Sequence, residues 1–131
     1  MRQTIDVDAW KVMAGEIATL GIDGKSVGNT TLYTVPAGRQ LIVSRIVVIP
    51  TAVSAVIAPS TVSVGKTASA YADVIVAGAL TGLTGLLTST TLLPIIAASV
   101  LDAGESLVLR VSSGATATTY TLQAIVFGIL L

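Results

Sequence analysis

The chain has 131 residues, 53% of them hydrophobic and 11% charged, with seven Lys and Arg balanced by seven Asp and Glu. It contains no cysteine and no histidine. That excludes thiol chemistry, zinc sites of the usual kind, imidazole acid–base catalysis and the Ser–His–Asp triad. A balanced charge supplies no field for nucleic acid or an anionic membrane, and a chain this long can bury one core without disulfide or metal.

Residues 1–28 read as an N-terminal arm or edge segment, and residues 29–131 as a β-sandwich domain. At the start, Ile5, Val7 and Ala9 alternate with Thr4, Asp6 and Asp8, which is a strand pattern. Trp10, Met13, Ile17 and Leu20 instead recur at helical spacing, with Asp8 as a helix cap. Gly15, Gly21, Gly24 and Gly28 dilute either element. Three forms remain open: an edge strand completing the sandwich, a short helix, or an extended arm that anchors Trp10 and Met13 on a neighbouring subunit. Acidic residues stand where a signal peptide would carry its apolar core, so no secretion signal is expected.

The rest reads as strand and turn. Valine and threonine, stiff at χ1, favour a pleated sheet. Thr30–Val35 forms a strand that Pro36-Ala37-Gly38 stops, since proline presets φ and glycine accepts a positive one. Arg39–Ile49 follows as a long strand, apolar on both faces except at Ser44 and Arg45; such a strand is central or covered by a partner. Thr61–Val64 alternates and closes at Gly65-Lys66, and Ala70–Val76 is a further strand with Asp73 its one charge. No charged residue appears from Val74 to Leu101, a length that could cross a bilayer. Gly78, Gly82, Gly85, Pro94 and many hydroxyl side chains break it, and no aromatic belt flanks it, so no membrane span is expected. Leu86–Val100 splits into two short strands near Pro94. Asp102-Ala103-Gly104-Glu105 turns the chain into Ser106–Ser112, with Leu107, Leu109 and Val111 on one face. After Ser113-Gly114-Ala115, a last strand runs Thr118–Leu131 with Tyr120, Leu122, Ala124 and Val126 on one side. The expected fold is all-β: one antiparallel sandwich or jelly roll of about eight strands.

Val35–Val43 parallels Leu101–Leu109: an apolar residue, a turn on Ala-Gly, two polar residues, then an apolar strand. Two similar turns entering two similar strands account for this, and so do quasi-symmetric halves of a double Greek key.

The residues offer little chemistry. Asp6 and Asp8 share one side of a strand but lack the further oxygen ligands of a calcium loop. Gly24-Lys25-Ser26 ends like a phosphate-binding loop, yet Thr19 stands where the motif requires glycine. No catalytic, cofactor-binding or metal-ligating residue is assigned, and no enzyme activity is expected. Tyr33 and Tyr120 read as sheet residues with hydroxyls at the rim. Arg45, inside an apolar strand, must pair with a carboxylate, snorkel or reach a partner. Arg39 and Arg110 could form a polar stripe with Glu105 or Asp73. The expected interface comprises Trp10, Met13, Arg39, Arg45, Ile129, Leu130 and Leu131.

The run Leu32-Tyr33-Thr34-Val35-Pro36-Ala37-Gly38-Arg39, the long strand after it, the Leu101–Leu107 turn and strand, and the closing Tyr120-Thr121-Leu122 to Val126-Phe127-Gly128 together resemble small β-sandwich proteins of tailed bacteriophage virions. The resemblance covers about Thr30–Leu131. It implies a structural protein of the virion: a capsid decoration (cement) protein contacting the major capsid protein, commonly as a homotrimer. The alternative role is a tail-fibre, baseplate or neck module, one that could bind a host-surface glycan or protein. No cofactor, nucleic-acid or membrane partner is implied.

Overall fold

The computed structural model describes residues 13–68, 70–95 and 99–131. These form nine strands and no helix: β1 (Met13–Asp23), β2 (Gly28–Thr34), β3 (Leu41–Ser54), β4 (Thr61–Gly65), β5 (Ile75–Ala79), β6 (Thr90–Leu92), β7 (Val100–Leu101), β8 (Ser106–Ser113) and β9 (Thr119–Leu130). One sheet has the order β1-β9-β3-β6, with β7 also on β3; the other has the order β2-β8-β4-β5. All pairings are antiparallel. The short β6 and β7 pair with separate stretches of β3, Ile46–Val48 and Leu41–Ile42, and so act as one interrupted edge strand. Counted that way, eight strands in two interleaved sheets make a jelly roll.

The strands form where alternation offers one face to a common core. In β8, Leu107, Leu109 and Val111 are buried; in β9, so are Tyr120, Leu122, Ala124 and Val126. On β3 the inward residues are Leu41 and Val43, then Ile46 and Val48. The parity changes because a bulge between Val43 and Arg45 inserts one residue, and Ser44 and Arg45 both stay exposed there. Each large aliphatic side chain withdrawn this way contributes about 1.5–3 kcal/mol of transfer free energy.

The two Ala-Gly turns are structural equivalents. Arg39 N donates to Pro36 O at 3.2 Å and Glu105 N to Asp102 O at 3.0 Å. Gly38 and Gly104, third in each turn, have φ of 74° and 84°, the type II geometry that favours glycine. The turns also clasp one another: Val35 N donates to Glu105 O and Gly104 N to Val35 O. Gln40 Nε2 adds a bond to Asp102 Oδ1 at 2.9 Å. Each turn leads into the third strand of its half of the jelly roll, β3 and β8, so the internal similarity follows the double Greek key.

Over Met13–Asp23 the edge-strand form is the one realised, and one expected strand is corrected. The helical spacing of Met13, Ile17 and Leu20 does not produce a helix. Met13–Asp23 is an edge strand on β9, because pairing along a full neighbour outweighs a weak periodicity broken by Gly15 and Gly21. Residues 70–74 are not strand: Asp73 gathers Lys66 N (2.8 Å), Thr67 N (3.4 Å) and Thr67 Oγ1 (2.7 Å), bending the chain before β5 begins at Ile75. The described part of the charge-free stretch forms β5, β6, β7 and their connections, with β6 and β7 the two short strands expected either side of Pro94.

Candidate functional site

Among the described residues, most charged side chains serve the chain's own architecture. Burial works against the charged form of Asp73, but the Thr67 hydroxyl and the amides of Lys66 and Thr67 outweigh it. They hold its carboxyl below the usual range. Asp23 accepts from Lys25 N at 2.9 Å. Glu105 accepts from Asp102 N at 2.7 Å and pairs with Lys66 Nζ at 3.6 Å, while Lys66 also donates to Val100 O. Among the described residues no group of three or more acidic side chains gathers to hold a metal. Lys25, in the segment that superficially matched a phosphate loop, donates to Thr118 O at 3.0 Å.

What the fold displays instead is apolar surface, in two places. The first is the outer face of the β1-β9-β3-β6 sheet. Register sets its rows: Ile129 beside Ile42, Ile125 beside Val47, Gln123 beside Ile49. These side chains are half-buried, and Leu20 on β1 is 68% exposed. In the middle row Glu16 of β1 and Arg45 of β3 flank Phe127 of β9. The Arg45 guanidinium lies over the Phe127 ring at 4.1 Å, a cation–π contact. An open groove beside this row is lined by Gly15, Glu16, Ser44, Phe127, Gly128 and Ile129.

The second surface is one end of the sandwich, where the β1–β2, β3–β4, β5–β6 and β8–β9 connections meet. They are stitched together: Gly24 N to Tyr120 O (2.8 Å), Ala115 N to Gly24 O (2.8 Å), Thr116 N to Ala58 O (2.9 Å) and Leu80 N to Ser60 O (2.8 Å). The buried Ser60 hydroxyl donates to Gly24 O. Tyr120 Oη donates to Leu83 O at 2.8 Å and seats the β5–β6 loop, with Leu80 and Leu83 buried beneath. From this fixed base Ile57 projects 84% exposed and Leu87 fully exposed, with Val27 and Leu86 also largely in solvent. A third feature, a cavity of about 180 Å³ between the sheets, is lined by Ile17, Tyr33, Leu41, Val126 and Leu130.

The sequence-expected interface residues scatter over these features. Trp10 lies outside the described residues, as do Asp6 and Asp8. Met13 opens β1 opposite Leu130. Arg39 turns inward along the chain end, with Nε donating to Leu131 O at 2.7 Å and Nη2 to Leu130 O at 3.5 Å. Leu130 packs partly on the core, Leu131 is exposed, and Ile129 joins the outer face. The expected stripe of Arg39 or Arg110 with Glu105 or Asp73 does not form; Lys66 takes Glu105, and Asp73 binds its own loop. Tyr120 is not a rim residue. It is 1% exposed, and burial raises its phenol above the ordinary value. Glu16 and the loop leucines were missed, since their placement depends on register and on the loop's seat.

The fold is similar to that of a chain in the cyanophage Pam1 capsid asymmetric unit: TM-score 0.55, 17% identity, covering 91% of this chain and 84% of that one. A chain of the acid-stable capsid of Helicobacter pylori bacteriophage KHP30 aligns at TM-score 0.49 and 13% identity, over 91% of this chain and 97% of that one. No protein-family model and no curated protein matches the chain.

Proposed function

We propose that the chain is a non-enzymatic structural protein of a bacteriophage virion, a capsid decoration protein that fastens neighbouring shell subunits. The observation that carries this reading is the cyanophage capsid match, which spans most of both chains. The likeness is therefore to a whole small capsid component, not to one domain of a larger subunit. The carboxylates used up in architecture and the apolar loop end support a packing role over a catalytic one. In this reading Ile57, Leu86 and Leu87 seat in the shell surface. Each aliphatic side chain buried there contributes about 1.5–3 kcal/mol. Because the protein binds assembled shell and not free subunits, its binding stabilises the shell by mass action.

The test is sedimentation of expanded shells that lack the protein after mixing with the purified chain. Co-sedimentation to a saturating ratio supports decoration. No shell binding, with binding to host cells instead, overturns it in favour of a tail-associated module.

A further inference from the structure

We infer that the outer face of the β1-β9-β3-β6 sheet is a contact between two copies of this chain, related by a two-fold axis that runs along β9. This inference does not rest on the virion reading. The argument begins with the middle row. Glu16 and Arg45 stand on the two strands either side of β9, with Phe127 between them. Two strand spacings separate their backbones by about 10 Å. Among the described residues neither belongs to an ion pair. Glu16 makes no hydrogen bond there, and Arg45 has the Phe127 ring beneath it. An apolar face thus carries one unmatched anion and one unmatched cation, placed symmetrically about a central aromatic residue.

Such a face is complementary to itself in one way. Two sheets packed face to face by two-fold symmetry need the axis in the plane between them. An axis along β9 exchanges the positions of β1 and β3. Glu16 of each copy then meets Arg45 of the other, and Phe127 meets its own equivalent. An axis across the strands would set Glu16 on Glu16 and Arg45 on Arg45, which like-charge repulsion opposes. The strand-parallel choice also agrees with the packing of stacked sheets, whose strand directions lie within about 30° of each other. An axis along β9 overlays three strands, β1, β9 and β3, on β3, β9 and β1 of the partner, about 14 Å across and about 25 Å along Ile42–Ile49. That is about 350 Å² per copy and about 700 Å² in all, the size of a weak contact, so charge complementarity and not area selects the partner. The half-buried Ile42, Val47, Ile125 and Ile129 supply its apolar part.

The experiment is sedimentation equilibrium on the full chain and three charge variants, with a thermal melt of each to show that it is folded. The expected result is a dimer for the native chain. Arg45→Glu and Glu16→Arg should each weaken dimerisation at least ~100-fold. The double reversal, Glu16→Arg with Arg45→Glu, should restore it to within ~10-fold, because the exchanged pair meets across the same axis. A native monomer overturns the inference. So does a dimer or trimer that neither single reversal disturbs, or a double reversal that behaves like the single ones.

Discussion

Replacing Tyr120 by phenylalanine isolates the bond that seats the β5–β6 loop. The ring is 1% exposed, and its Oη donates to Leu83 O at 2.8 Å in a buried setting. Phenylalanine keeps the ring and leaves no sizeable cavity, so the loss is confined to one hydrogen bond and one stranded carbonyl. An unsatisfied buried acceptor costs about 1–3 kcal/mol. Leu83 lies in a loop that can shift toward water, which places the expectation at about 1–2 kcal/mol. For a chain of this size that lowers Tm by roughly 3–8 °C. The assay is urea unfolding of both proteins, in which the midpoint should fall with m unchanged. Amide exchange should quicken across residues 80–88 more than in β8. A stability change below ~0.3 kcal/mol, or exchange that quickens uniformly, would refute the view that this hydroxyl fastens the loop.

Four further outcomes follow from the same structure. Gly128→Ala would set a Cβ 2.5 Å from Ile42 O on the neighbouring β3, and should destabilise by at least ~2 kcal/mol in the same assay. Gly28→Ala meets nothing within 4 Å and should be neutral or gain up to ~1 kcal/mol. Asp73 has a depressed folded pKa. Its contribution is therefore full above the unfolded value of about 4 and is lost as pH falls through the lower folded value. Unfolding curves from pH 6 to 2 should show native stability dropping toward that of Asp73→Asn at the acid end, and no convergence would contradict the assignment. Leu87→Asp should leave stability within ~0.5 kcal/mol of native, since the side chain is fully exposed, yet weaken shell binding at least ~10-fold.

The parts of the fold legible beforehand are those where one strand carries its own signal. β9 alternates from Thr119 to Val126, β8 keeps Leu107, Leu109 and Val111 at period two, and the Pro36-Ala37-Gly38 and Asp102-Ala103-Gly104 turns announce themselves by residue type. β3 was legible as a strand, but its apparent two-faced apolarity hid a bulge at Ser44 and Arg45 that changes which residues point inward. β1 was ambiguous because an edge strand owes its conformation to the neighbour it pairs with. β5, β6 and β7 lie in a run of glycine, threonine and small apolar residues that carries neither period. The apolar residues on both faces of Arg39–Ile49 did mark an outer face, where Ile42, Val47 and Ile49 are half-buried. Its charges could not be placed from the chain alone, because Glu16 and Arg45 fall in one row, on either side of Phe127, only through the register of three strands. Tyr120 was misplaced at the rim for a related reason: its partner, Leu83 O, belongs to a loop whose path no local pattern specifies.

The central claim, that this small jelly roll decorates a phage shell, is tested most directly by counting its copies in purified virions. Quantitative mass spectrometry of intact particles from the phage that encodes the chain should find it at a fixed stoichiometric ratio to the major shell subunit. That ratio should persist after tails are removed. Absence from the particles, or a handful of copies that leave with the tails, would contradict the account.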